Sequence, residues 1–223
     1  LKIATGNNII VIEDAAHAVE AWYKDRKVGS IGDITCFSFY VTKNLVTGEG
    51  GMLTTNRSDW AKEIRIRSLH GISKDAWKRY SAASFVPYQT LYPGYKYNMM
   101  DIQAAIGRVQ LKKLPTFLQR REEIFQRYKK EGLELLDVDP ELKHISPVRY
   151  RAILKTAKPQ KIINSLQSIG AKSIIPTDEY IISENQSLFP NSFQFTRETA
   201  SIPIYPSLTN SEIDIILSVL VKK

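Results

Sequence analysis

The sequence holds one cysteine among 223 residues. A lone cysteine excludes an internal disulfide, and Cys36 sits inside an apolar segment, so it is read as packing in a reducing compartment, the cytoplasm. Long hydrophobic runs are missing as well. No stretch of about 18 apolar residues occurs, and Glu13 and Asp14 interrupt the first apolar segment, so neither a membrane span nor a signal peptide is expected. Internal repeats and low-complexity tracts are absent, which removes solenoid and fibrous architectures. No metal site is read from the chain. Acidic residues are outnumbered, 23 against 31 Lys and Arg, for a formal charge of +8. That surplus suits an anionic partner, but the basic residues are mixed with acids, as at Arg120, Arg121, Glu122 and Glu123, and form no stripe interleaved with aromatics. Nucleic acid is therefore not the expected partner, whereas a phosphorylated small molecule is compatible.

What is present is an ordinary core-forming composition, 43% hydrophobic and 10% aromatic, enough for one large domain or one and a half smaller ones. The segment from Thr35 to Gly51, TCFSFYVTKNLVTGEGG, organises the reading. An apolar strand through Cys36, Phe37, Phe39 and Tyr40 breaks at Val41 and Thr42, presents Lys43, and enters a glycine turn of Gly48, Gly50 and Gly51. Glycines there let the backbone approach a ligand closely, and a lysine next to a buried strand can act as an amine that forms a Schiff base.

Upstream, the apolar run Ile9 to Ile12 ends in Glu13 and Asp14 and passes into Ala-rich chain, the pattern of a buried parallel strand followed by a helix or turn. Ligands gather at the carboxyl ends of such strands, which marks Asp14 as a second site residue, with helix N-capping as its alternative role. Met52 to Thr55 is expected as a strand returning through the glycine turn. A helix from Asn56 or Ser58 stops at Gly71. An aromatic-rich irregular stretch, Ile72 to Tyr97, suits a subunit interface. Asp101 opens one helix and Pro115 starts another, and DVDPELKHISP after Asp137 reads as a linker. The rest predicts a small α+β domain: a strand at VRYRAIL, a helix from Pro159 to Ile169 closed by Gly170, a weak strand at Ser173 to Ile175, and a last helix begun by a capping box from Thr209 to Glu212.

VIEDAAHA, GSIGD, FSFYVTKN, GEGG, SLHG and PGYKYNMMDIQAAIG followed by QLKKL resemble, in order and spacing, the DegT/DnrJ/EryC1/StrS family of pyridoxal-phosphate (PLP) sugar aminotransferases. GYKYN and EDAAH are most similar to the branch that aminates 4-keto nucleotide sugars. The resemblance is strong from about Val11 to Leu136 and weakens after Leu142, although SIPIYPSLTNSEID resembles the family's closing segment. It implies an α/β fold: part of a fold-type-I large domain with a mainly parallel or mixed sheet over residues 1–136, and a small α+β domain over 137–223.

The implied roles carry over residue by residue. Lys43 matches the lysine that holds the cofactor and moves the proton between substrate carbon and cofactor. Asp14 matches the carboxylate facing the pyridine nitrogen, where a negative charge keeps the ring protonated. His17 matches a position near the ring and its 3-oxygen, Ser38 a hydroxyl donor to the cofactor phosphate, and Asn98 a phosphate contact supplied from the other subunit of a homodimer. His17 as a satisfied polar group, Ser38 as a packed strand residue and Asn98 as a helix cap are the competing roles. The implied activity is amination of a keto nucleotide sugar, with glutamate as amino donor, in polysaccharide or lipopolysaccharide biosynthesis. A sugar dehydratase of the same family is disfavoured by Lys43, since those enzymes carry histidine there.

Two departures are expected to matter. Family members carry a long segment before the strand at Ile9, supplying part of the phosphate and substrate pocket. It has no counterpart here, so the alternative reading is a truncated or split member that is catalytically incompetent and acts at most as an interaction or structural half. The family's His-aromatic strand motif and its later glycine-rich stretch are replaced by VRYRAIL and AKSIIPTDEY.

Overall fold

A computed structural model describes residues 1–72, 89–139, 141–177 and 187–221. Within these the chain divides into two compact units, Leu1–Lys112 with His144–Ser146, and Lys113–Lys143 with Pro147–Lys223. The division falls inside a helix, upstream of the boundary expected near Leu136.

The first unit begins with a short helix α1 (Lys2–Gly6) and is built on a three-stranded sheet in the order β1 (Ile12–Asp14), β4 (Ile34–Ser38), β5 (Gly51–Thr54). β1 and β4 are parallel, with Asp14 opposite Cys36, and β5 returns antiparallel with Gly51 opposite Ser38. The strand after the Ile9 to Ile12 run is therefore parallel as expected, but it starts only at Ile12, and Ile9, Ile10 and Ile12 are exposed rather than buried. Acidic side chains set the β1/β4 register. Glu13 accepts from the Gly32 N–H at 2.8 Å and the Thr35 hydroxyl at 2.7 Å, while the Asp33 carboxylate accepts from the Val11 N–H at 2.8 Å. Between β1 and β4 lie two two-residue strands, β2 (Trp22–Tyr23) and β3 (Arg26–Lys27), which join β6 (Ile145–Ser146) in a small second sheet.

Helix α2 (Ser58–Arg67) follows β5 and ends at Arg67, short of the expected stop at Gly71, whose φ of +69° lies in the left-handed region that glycine favours and turns the chain after the helix. A Cβ on Gly71 would lie 1.7 Å from the Tyr92 carbonyl oxygen, and one on Gly94 2.1 Å from the Gly71 nitrogen. Around this glycine contact the backbones bond directly: Leu91 N–H to Gly71, His70 N–H to Tyr95, Tyr95 N–H to Arg67 and Tyr97 N–H to Ser68, at 2.7 to 2.8 Å. The expected contact surface from Ile72 to Tyr97 is described only from Gln89 onward; Trp77, Tyr80, Phe85 and Tyr88 lie outside the described residues.

Helix α3 (Asp101–Lys130) is continuous through Pro115, where two helices were expected. Pro115 is exposed, so the Leu111 carbonyl that loses its amide partner can turn to water, and the remaining turns carry the helix through. The side chains of Ile124, Phe125 and Tyr128 on its second half enter the core of the second unit.

That core packs α3 against a hairpin-like pair, β7 (Ala152–Lys155) antiparallel to β8 (Thr199–Ile202), and against α4 (Pro159–Gln167) and α6 (Asn210–Leu220). Pro159 occupies the first turn of α4, and Thr209 with Glu212 forms the expected capping box of α6. Ser173 to Ile175 supplies an isolated bridge from Ile174 to Ser201 rather than a strand. β8 and the helix before it, α5 (Pro190–Arg197), were not anticipated. Arg149 closes one side of the core: its guanidinium donates to Glu122 at 2.7 Å and Asp137 at 2.6 Å and lies 3.8 Å from the Phe125 ring centroid. No described helix is long and apolar enough to cross a membrane.

Candidate active site

Asp14 is the last residue of β1, so the strand delivers its carboxylate at the open carboxyl end of the parallel pair. No helix follows. Its Oδ1 instead accepts from the Ala16 N–H at 3.0 Å, and Ala15 N–H bonds the Cys36 carbonyl at 2.9 Å, so the chain turns over the end of β4. The N-cap role does not apply. This turn carries His17 outward, where its Nε2 and Lys43 Nζ are hydrogen-bonding partners.

Lys43 reaches that position from a tight loop beyond β4. Phe39 N–H bonds the Gly50 carbonyl, Thr47 N–H bonds the Phe39 carbonyl, and Lys43 N–H bonds the Tyr40 carbonyl, each at 2.9 Å. Buried Phe39, Leu45 and Thr47 anchor the loop. Gly50 closes it with φ +137°, and a Cβ there would meet Met99 Cε and Thr47 Oγ1 at 3.0 Å. Gln103 at the start of α3 donates to the Glu49 carbonyl at 3.0 Å, tying the turn to the helix. Ser38 ends β4, and its Oγ accepts from the Tyr40 N–H at 3.3 Å.

Asn98 stands apart. Its Oδ1 accepts from Lys96 Nζ at 2.5 Å, and the Met100 N–H is taken by Gln103 at 3.1 Å. It lines an open groove of about 1210 Å³ with Gly50, Gly51, Met52, Arg65 and Tyr95, in which Asp14, His17, Ser38 and Lys43 take no part. One residue beside the lysine was missed by sequence reasoning. The Asn44 amide oxygen and nitrogen are shielded from solvent and bond to nothing among the described residues. Glu13 and Asp33, which fix the strand that delivers Asp14, sit inside the EDAAH and GSIGD motifs and were legible as motif members but not as register-setting groups.

The donor set fits the ring side of an aldehyde cofactor: an amine, an imidazole and a strand-end carboxylate on adjoining turns. Ser38 adds a hydroxyl at the end of β4. The parallel β1–β4 pair, its antiparallel return strand and the helices that follow define an α/β protein.

Comparison with known proteins places it further. The model of the DegT/DnrJ/EryC1/StrS aminotransferase family matches residues 1–221, and the chain belongs to that family. It is 41% identical, over 96% of its length, to the spore coat polysaccharide biosynthesis protein SpsC of Bacillus subtilis, and 43% identical, also over 96%, to the uncharacterized protein MJ1066 of Methanocaldococcus jannaschii. It spans 59% of each of these relatives. Among solved structures it matches Spr1654 of Streptococcus pneumoniae, assigned as a sugar aminotransferase, with a TM-score of 0.81 and 29% identity over 99% of this chain and 59% of that one. Spr1654 has been solved in PMP and PLP forms, and PLP is the family's cofactor.

Proposed function

We propose that this chain carries the lysine half of a PLP-dependent aminotransferase acting on a keto nucleotide sugar, with glutamate as amino donor, in the cytoplasmic synthesis of a cell-surface sugar. The observation that carries the reading is the pairing of Lys43 with His17 on the turn that follows Asp14. PLP, when bound, supplies an electron sink for a substrate carbanion. Lys43 Nζ would hold the cofactor and would carry the proton to and from the substrate carbon. His17 accepts from and orients that amine. Asp14, at the strand end, would hold the ring through its pyridine nitrogen and keep that nitrogen protonated. Ser38 would donate to the phosphate.

Asn98 acts on the phosphate held by the second subunit of a homodimer. Support for this is its place in a groove that none of the other four residues lines. The domain division that goes with this reading is 1–136 for the cofactor-binding part and 137–223 for the small domain.

The test is reduction with borohydride after incubation with PLP, read by peptide mass. Cofactor label on Lys43, absent from Lys43→Ala and unaffected by Lys24→Ala, is expected. Label spread over surface lysines, with none on Lys43, refutes the reading. The second reading is a catalytically incompetent family member acting at most as an interaction or structural module. It predicts no label on Lys43 under any condition, including the presence of the remaining family segment.

A further inference from the structure

The loop that carries Lys43 is closed at one peptide. Between β4 and β5 the chain presents Lys43 and returns, and its two ends meet at Glu49 and Gly50. The Gly50 carbonyl accepts from the Phe39 N–H at 2.9 Å, and the Phe39 carbonyl accepts from the Thr47 N–H at the same distance. The Glu49 carbonyl accepts twice: from the Thr47 hydroxyl at 2.6 Å inside the loop, and from the Gln103 side-chain amide at 3.0 Å outside it. Gly50 has φ +137° and no side chain to hold that peptide by packing, so its orientation is set by these bonds.

Gln103 divides its two polar atoms between two elements. Asp101 begins α3, so Met100 precedes the helix and Gln103 is its third residue. Its Oε1 accepts from the Met100 N–H at 3.1 Å, the reach-back that caps a helix start. Its Nε2 donates to the Glu49 carbonyl, 54 positions away in sequence. The two bonds fix the amide in one sense, because the reverse orientation sets nitrogen against an N–H and oxygen against a carbonyl. One turn further along, a Cβ at Gly107 would lie 3.0 Å from Thr47 Cγ2. Helix α3 therefore also touches the loop at the residue that shares the Glu49 carbonyl with Gln103.

We propose that Gln103 is a positioning residue for Lys43: its amide clamps the Glu49–Gly50 peptide to the start of α3 and so holds the loop in the conformation in which Lys43 Nζ meets His17 Nε2. Gln103 acts through the backbone. Its bond fixes Glu49, Gly50 fixes Phe39, Phe39 fixes Thr47, and the Lys43 N–H bond to the Tyr40 carbonyl sets the lysine within that ring. The assignment rests on Lys43 being the reactive amine proposed above, whereas the clamp itself is independent of any cofactor.

Gln103→Glu in the full chain separates the two roles. The carboxylate keeps an acceptor for the Met100 N–H, so the helix start is retained and the melting temperature stays within about 2 °C of the parent. It has no donor for the Glu49 carbonyl and sets oxygen against oxygen there. Amide exchange at Phe39, Lys43 and Thr47 should rise about tenfold, with exchange in the second unit unchanged. Thr47→Val removes the other donor at nearly constant volume and should act in the same direction. With PLP and borohydride, the saturating rate of Lys43 labelling should fall at least about tenfold in Gln103→Glu, while the half-saturating PLP concentration and the labelling of Lys24 stay as in the parent. A loss of overall stability does not produce that split. Gln103→Met lacks both polar atoms and should add a lower melting temperature. Exchange at Phe39 and Thr47 unmoved by Gln103→Glu overturns the proposal, as does a Lys43 labelling rate equal to the parent's, or an effect seen only in Gln103→Met. Exchange is read without cofactor, so a parent chain that takes no label on Lys43 refutes the reading of the lysine and leaves the clamp to be decided by exchange.

Discussion

Tyr128 offers a sharp test of how the second unit is held together. The side chain is 0% exposed, and its hydroxyl donates to the Pro203 carbonyl at 2.9 Å. Tyr128→Phe keeps the ring and its packing and removes one oxygen. The loss is a net hydrogen bond and leaves a sheltered carbonyl unmet, about 1 to 2 kcal/mol, whereas Tyr128→Ala would add a cavity and cost about 3 to 5 kcal/mol. Urea unfolding at pH 7 should show the phenylalanine variant with a lower midpoint and an unchanged slope, since no extra surface is exposed. The pH dependence sharpens the test. Burial pushes the Tyr128 hydroxyl well above its ordinary range, aided by the nearby Tyr205 and opposed by Arg127. A raised pKa means that the unfolded chain releases the proton first. The stabilisation is therefore complete below about pH 10 and erodes as pH rises from there, at about 1.4 kcal/mol per pH unit. The phenylalanine variant has no proton to release at this position, so the gap between the two proteins should close near pH 11 to 12, about one to two units above the point where it starts to shrink. Tyr205 is present in both and cancels. A gap under about 0.5 kcal/mol at pH 7, or one that stays constant up to about pH 11, would refute the account of the bond and of the burial.

Two further outcomes follow from the same geometry. Burial alone would raise the Glu122 and Asp137 carboxyls, but bonds from Arg149 to both, with Gln126 and Lys129 assisting, leave each below its ordinary value. Their contribution is present above about pH 4 and is lost as pH falls below that, so Arg149→Met should cost about 1 kcal/mol at pH 7, after screening at half-exposed Glu122, and progressively less toward pH 3 in acid-unfolding curves. Gly71→Ala places a Cβ 1.7 Å from the Tyr92 oxygen at φ +69°, so a loss of about 3 kcal/mol or more is expected, with faster amide exchange at Leu91, Tyr95 and Tyr97; retained protection there would contradict the close-contact reading.

The sequence made the parallel strand before Asp14, the lysine loop and its return strand, and the capping box at Thr209 legible, because each is written in local spacing: an apolar run ending in acids, glycines at fixed offsets, a Thr and Glu three apart. What escaped was set by distant partners. Pro115 signals a helix start locally, yet the helix runs through it because the second half is held by the core it enters. TASI has too few large apolar residues to read as a strand, and it becomes one because β7 and Ser173 bond its backbone on both sides, as in the Ser173 hydroxyl bond to the Ser201 carbonyl at 2.7 Å. Ile9, Ile10 and Ile12 read as buried from composition, but burial depends on what lies against them. At the proposed site, Asp14, Lys43 and His17 were singled out from spacing and motif order, whereas Asn44 carries no motif signal and shows itself only through its unmet amide.

The glycine contact between Gly71 and Gly94 has a consequence for how this protein can diverge. The stretch from Leu91 to Tyr97 is pinned to the end of α2 by main-chain bonds, and space forbids a side chain at Gly94 within it and at Gly71 opposite. Anchorage is thus separated from cargo. Tyr95 and Tyr97, stacked at 4.8 Å on the exposed side, can be exchanged in a lineage without loosening the strap that carries them, because the bonds that pin it are made by the main chain.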